Sequence, residues 1–149
     1  MKVKDCMCTQ VAWVTPQDTL TNVAKVMQTN HIGCVPVCKD SQQICGIITD
    51  RDIVLRAVAT GKNLAQTMAS EIMTQNPFTC KQDEDMQQAQ NTMTQNQVRR
   101  LPVCDNEQRV IGMLTFGDLA NNGQKIGQQQ VCQTVEGICN CNGQFKNAE

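Results

Sequence analysis

The stretch Gly46-Ile47-Ile48-Thr49-Asp50-Arg51-Asp52 returns 66 residues later as Gly112-Met113-Leu114-Thr115-Phe116-Gly117-Asp118. In each, a glycine and two apolar residues lead straight into Thr-x-x-Asp. The apolar piece reads as a strand, and Thr-x-x-Asp as the head of a helix. A threonine there accepts from the first-turn backbone, and a carboxylate three residues on returns the bond, a capping arrangement that needs no ligand. The same two side chains also suit a nucleotide. The hydroxyl can donate to a phosphate oxygen, near the positive end of the helix, and the carboxylate fits the vicinal hydroxyls of a ribose. Both readings stand at this point. Gly46 and Gly112 suggest a place where a ligand or a neighbouring backbone comes close.

Working outward, the same 66-residue shift lays one half of the chain on the other without a gap. Met7 falls on Met73, Leu20 on Met86, Met27 on Met93 and Asn30 on Asn96, while Val35-Pro36-Val37-Cys38 falls on Leu101-Pro102-Val103-Cys104. One register held over this distance is an internal duplication. In each copy a short extended piece (Val14-Thr15, Thr79-Cys80) precedes an amphipathic helix. Leu20, Val23, Ala24 and Met27 form the first stripe and Met86, Ala89 and Met93 the second, which Gln90 weakens. Asp18-Thr19 is a cap for the first helix, and Asn30 and Asn96 are expected to close the two through a left-handed backbone. Two apolar runs follow, Cys34 to Cys38 and Ile44 to Thr49, joined by a polar turn. Pro36 and Pro102 favour an edge or strand-entry position. A second helix runs from near Asp50 to about Ala59 and stops at Gly61. The expected fold is α/β, two β-α-β-β-α repeats packed about a pseudo-twofold axis. The first spans 1–62, the second 71–121, with a linker at 63–70. Residues 122–149 form a Gln-rich, Cys-containing tail in which weak order is expected.

Bulk properties exclude several functions. A net charge of -1 and only three Phe, one Trp and no Tyr offer neither a basic face nor stacking rings for nucleic acid. No apolar run reaches membrane-spanning length and the start has no apolar leader, so the expectation is a cytoplasmic chain without a membrane partner. The ten cysteines sit mostly inside apolar strings, where reduced thiols behave as small hydrophobes. With a single histidine and no triad or metal-ligand spacing, an enzyme is not expected.

The chain resembles the tandem CBS-domain family, named for the regulatory repeat of cystathionine β-synthase. The resemblance rests on Met7, Asp18-Thr19-Leu20, Ile32 to Val37, Gly46 to Asp52 and Met73-Thr74. In the second copy it rests on Val98-Arg99-Arg100-Leu101-Pro102-Val103 and Gly112 to Leu119. It covers about residues 3 to 121. It implies a regulatory sensor with no required cofactor that binds AMP, ADP, ATP, NAD or S-adenosylmethionine in the clefts between its repeats. Such a module pairs as a homodimer and signals to a regulated partner protein by a ligand-driven shift in the tilt of the repeats. Carried over by position, Thr49 and Thr115 hold phosphate, and Asp52 and Asp118 hold ribose. Ile32, Val35 and Pro36, with Thr15, wall one adenine; Val98, Arg99, Leu101 and Pro102, with Lys81, wall the other. Arg99, Arg100 and Arg51 are candidates to neutralise phosphate.

The chain departs from the family where Cys replaces an aliphatic residue at Cys38, Cys45 and Cys104. Cys80-Lys81 also differs from Val14-Thr15, and the tail has no counterpart in the repeat. Cys132, Cys139 and Cys141, with the Cys6-x-Cys8 pair, leave a redox or metal sensor as the alternative, although Cys-x-Cys is too tight for a zinc knuckle. A ligand-free dimerisation module is the third reading. His31 reads as a structural or rim residue at a helix end.

Overall fold

A computed structural model of the chain describes residues 1–139. The chain divides into two compact units that do not follow the sequence copies. One joins Gln10–Pro77 with Cys104–Ile111; the other joins Met1–Thr9, Phe78–Val103 and the described residues from Gly112 onward.

In the first unit, helix α1 (Leu20–Asn30) starts at Thr19, whose side chain accepts from the Asn22 N–H. Leu20, Val23 and Met27 are buried along one face, as their spacing predicts. The Asn30 side-chain amide donates to the Val26 carbonyl at 2.8 Å, and the left-handed residue is His31 (φ 53, ψ 44). In the second unit Asn96 donates to the Thr92 carbonyl at 2.9 Å and Gln97 turns left-handed. The expectation that Asn itself adopts the left-handed backbone is therefore corrected. Asn satisfies a last-turn carbonyl from inside the helix, and its successor makes the turn.

Strand β1 (Cys34–Cys38) pairs antiparallel with β2 (Ile44–Thr49), setting Val35 opposite Ile48 and Val37 opposite Gly46, with an irregularity after Val37. After β2 the chain enters α2 (Asp50–Ile53), continues through wider π-type turns over Val54–Val58, and turns at Gly61 (φ 71). A short helix α3 (Ala69–Ile72) leads into β3 (Thr74–Gln75), which pairs with β2 and completes the sheet order β1-β2-β3. Val14 bridges the outer side of β1, donating to the Pro36 carbonyl at 3.1 Å. Pro36 thus sits on the sheet's edge strand, beside a single bridged residue. Val14, Leu20, Val23, Val35, Val37, Ile48 and Ala57 share one core, and Cys38, Cys104 and Val110 form another beneath Trp13.

The remaining elements repeat this order: β4 (Cys80–Lys81), α4 (Met86–Asn96), β5 (Arg100–Cys104), β6 (Val110–Thr115) and α5 (Phe116–Asn121). The sheet order β4-β5-β6 puts Pro102 on the middle strand, so the edge expectation does not extend to it. Beyond α5, where the sequence suggests weak order, the chain forms α6 (Gly123–Ile126) and α7 (Gln128–Cys139). The physical reason is a partner for α7: it lies along α4, where Gln90, only 1% exposed, donates to Thr134 at 3.1 Å. The tail from Asn140, including Cys141, lies outside the described residues.

Candidate functional site

Both Thr-x-x-Asp motifs form closed capping boxes. The Asp52 N–H donates to Thr49 Oγ1 at 3.1 Å, and the Thr49 N–H donates to Asp52 Oδ2 at 2.9 Å. The Asp118 N–H donates to Thr115 Oγ1 at 3.2 Å, and the Thr115 N–H donates to Asp118 Oδ2 at 2.8 Å. The Thr115 hydroxyl also donates to Asp118 Oδ2 at 2.7 Å. The helix-start reading is thus realised in both copies. One oxygen of each carboxylate is committed to it, and all four residues remain half-buried rather than sealed.

The other oxygen separates the copies. Asp52 Oδ1 stands 3.5 Å from Arg56 Nη2. Arg56 is in turn fixed by donating through Nη1 to the Ile72 carbonyl at 2.8 Å and to Thr74 Oγ1 at 3.2 Å. Asn122 takes the place of Arg56 in the second copy and donates to the Asp118 backbone carbonyl at 2.9 Å. Among the described residues no cation bridges to Asp118. Arg56 was missed in the sequence, although its place four residues after Asp52 is the spacing of a helical ion pair.

The residues beside the boxes differ as well. In the first copy the Asp50 N–H donates to the Gly33 carbonyl at 3.0 Å; in the second the Phe116 N–H donates to the Arg99 carbonyl at 3.1 Å. The equivalent positions therefore carry a carboxylate beside a bare glycine in one copy, and an aromatic ring beside a guanidinium in the other. Asp50 Oδ1 accepts from the Arg51 N–H at 2.8 Å, while the Arg51 side chain is exposed.

Of the expected wall residues, Ile32 is exposed and Val98 half-buried, while Val35 and Leu101 are fully buried. The side chains of those two serve the core. Pro36 and Pro102 are buried too; Arg99 is exposed and Arg100 half-buried. Thr15 donates through both its N–H and its hydroxyl to Asp18 Oδ2, at 2.7 and 3.1 Å. The Lys81 N–H donates to Glu84 Oε2 at 3.1 Å. The second copy's junction also borders a cavity of about 150 Å³ lined by Arg99, Phe116, Val135, Ile138 and Cys139. No sequence reading anticipated the three α7 residues there, though Val131, Val135 and Ile138 recur at helical spacing.

The cysteines act largely as core residues. Cys34, Cys38, Cys80 and Cys104 are buried, Cys45 is half-buried, and Cys8, Cys132 and Cys139 are exposed. Burial, and then the neighbouring Cys45 and Cys104, push the Cys38 thiol up to about 12. Among the described residues no group of three or more His, Cys, Asp or Glu side chains could hold a metal ion, and no helix is long and apolar enough to cross a membrane.

Two stretches, residues 3–58 and 69–124, match the CBS domain, and the chain belongs to that family as a tandem pair. CBS domain-containing protein YhcV of Bacillus subtilis is 38% identical over 120 residues, which are 80% of this chain and 84% of that one. Hypoxic response protein 1 of Mycobacterium tuberculosis is 32% identical over 136 residues, covering 91% and 92% of the two chains. A crystal structure of Hypoxic Response Protein I with two coordinated zinc ions aligns at a TM-score of 0.75, with 32% identity over 81% of this chain and 98% of that one. The CBS domain pair of protein MJ0100, in complex with 5-methylthioadenosine and S-adenosyl-L-methionine, aligns at 0.74. It is 27% identical, covering 81% of this chain and 98% of that one.

Proposed function

We infer that the chain is a regulatory sensor that binds an adenosine-type ligand at its strand–helix junctions. The observation carrying this reading is the duplicated Thr–Asp pair, half-buried at the end of a partly buried strand in each copy. The MJ0100 pair, alike in fold and complexed with two adenosine derivatives, supports it. Thr49 and Thr115 are assigned to phosphate or the ligand's equivalent polar group, and Asp52 and Asp118 to ribose. Ile32 and Pro36 would border the base in one copy, with Thr15 near them; Val98, Arg99 and Pro102 would do so in the other, with Lys81 near them. Val35 and Leu101 would touch a ligand through their backbone. AMP, ADP, ATP, NAD and S-adenosylmethionine form the candidate set. Occupancy signals to a partner protein by favouring one conformation, which requires different affinities for the two states. The exposed apolar side chains of Val54, Leu55 and Val58 support a homodimer, since a contiguous apolar patch marks an interaction surface.

The test is a thermal-shift and calorimetric screen of the reduced chain against these five ligands, beside Asp52→Ala and Asp118→Ala. A ligand that binds only the folded state must raise the melting temperature. The reading requires at least one such ligand at sub-millimolar concentration, with its effect lost in an Asp variant. The zinc ions of the Hypoxic Response Protein I structure give the metal-sensing reading its one support. Zinc-dependent stabilisation without any nucleotide effect would favour that reading instead.

A further inference from the structure

Helix α7 lies beyond both stretches that match the family, yet it builds a wall of the cavity at the second copy's junction. Its seat on α4 is specific. A Cβ on Gly137 would collide with the Thr94 methyl and stand 3.3 Å from both Thr94 Cβ and Oγ1, so a larger residue there would have to displace the Thr94 side chain. The buried Gln90 amide donates to Thr134 Oγ1 at 3.1 Å, and its oxygen accepts from Gln130 Nε2 at 2.7 Å. Gln130 Nε2 also donates to Gln87 Oε1, so three polar bonds and one close contact set the register of α7 along α4. That register places Val135, Ile138 and Cys139 beside Arg99 and Phe116, forming one wall of the cavity of about 150 Å³, which stays open to solvent on one side.

An apolar cavity of roughly 150 Å³ takes a benzene-sized ring in another protein. Here the apolar walls are Phe116, Val135 and Ile138. Arg99 adds a cation that stacks on ring faces and pairs with anions. The equivalent positions of the first copy hold Gly33 and Asp50, with no cation and one carboxylate. We propose that this cavity receives the base of an anionic adenine nucleotide at the second copy's site, with α7 as the wall that selects the ring and Arg99 as the group that favours a phosphate. The proposal rests on the adenosine-ligand reading above and adds a helix outside the family repeat to the site.

The experiment uses the whole reduced chain, AMP as probe and adenosine as its uncharged comparison. Calorimetric titration is run on wild type, Val135→Trp (which fills the cavity) and Arg99→Ala. In parallel, wild type is alkylated with iodoacetamide, with and without AMP, and Cys139 and Cys132 are followed by peptide mass spectrometry. AMP is expected to bind wild type more tightly than adenosine, and Arg99→Ala to remove most of that difference. Val135→Trp is expected to weaken AMP at least tenfold. AMP should slow alkylation of Cys139 severalfold while leaving Cys132, two turns away, unchanged. If Val135→Trp does not fold, Cys139 protection in wild type decides alone. AMP binding that neither Val135→Trp nor Cys139 alkylation registers would overturn the proposal and leave the sensor reading standing. Absence of binding by either compound, and by the rest of the adenosine set, would overturn both.

Discussion

The Met73 side chain lies across Gly46 so closely that its Cγ stands 2.9 Å from where a Cβ on that glycine would be. Met7 does the same at Gly112, with Sδ at 2.8 Å and the Cys8 carbonyl oxygen at 3.0 Å. The glycine of each Gly-apolar-apolar-Thr motif therefore makes room for a methionine, where the sequence suggested a ligand or a backbone; at Gly112 the Cys8 backbone comes close too. Gly46→Ala is expected to cost about 1–3 kcal/mol, the usual penalty for overpacking a filled site. In denaturant titrations, Gly46→Ala combined with Met73→Ala should cost less than the two separate losses added together. Simple additivity would show that the methionine is not the obstacle.

Arg56 joins Asp52 to the Ile72 carbonyl. Arg56→Ala should lower stability by about 1 kcal/mol, mostly through the hydrogen bond to that carbonyl. The partly exposed ion pair itself adds little. Among the described residues Asp118 has no such cation, so Asp118→Ala should reduce a ligand-induced rise in melting temperature more than Asp52→Ala does. Equal losses in the two variants would contradict this asymmetry.

Gln90 bonds to Thr134 inside the α4–α7 contact, and Thr134 also donates to the Gln130 carbonyl at 2.9 Å. Gln90→Leu should therefore cost only about 1 kcal/mol, at the lower end for a disrupted buried polar pair. Gln90→Leu with Thr134→Val should recover most of it. Hydrogen exchange along α7 reports the change: faster exchange confined to 128–139 is expected in the single variant.

Burial raises the Cys38 thiol to about 12 and raises Cys6 and Cys45 above the ordinary 9.0. A group whose folded pKa is raised stabilises fully below its unfolded pKa and loses that contribution as pH rises. Unfolding free energy is thus expected to fall between about pH 9 and pH 12, and to fall less steeply in Cys38→Val. At pH 8, Cys132 and Cys139 should react with iodoacetamide long before Cys38, as peptide mapping would show. Rapid labelling of Cys38 in the native state would contradict its burial.

Val54, Leu55 and Val58 are 53%, 51% and 55% exposed on the turns after α2. On the dimer reading, Leu55→Asp with Val58→Asp should halve the mass measured by light scattering and leave the circular dichroism spectrum unchanged. A wild-type chain that is monomeric at tens of micromolar would remove the premise.

The duplication, the amphipathic stripe of α1 and the Thr-x-x-Asp helix starts were legible because each is a local pattern repeated in one register. The residues that complete those patterns were harder to read. Asn30 and Asn96 stand where a left-handed residue is usual, and only the geometry shows that their side chains act one step earlier. Gln90 reads as a flaw in an apolar stripe because its partner, Thr134, lies 44 residues on in a Gln-rich segment. Composition suggested loose structure there, yet Val131, Thr134 and Ile138 are buried. Gly137 gives no local hint of its role, which exists only against Thr94. The candidate site divides in the same way. Thr49, Asp52, Thr115 and Asp118 follow from their motif, whereas Arg56 and the α7 wall depend on what the tertiary fold brings beside them.

The chain passes from one compact unit to the other after Thr9, after Pro77, after Val103 and after Ile111. Met7, encoded with the first copy, completes the strand that bears Gly112, and Met73, encoded with the second, completes the strand that bears Gly46. A deletion of either copy therefore also removes a methionine that packs on the motif glycine of the other.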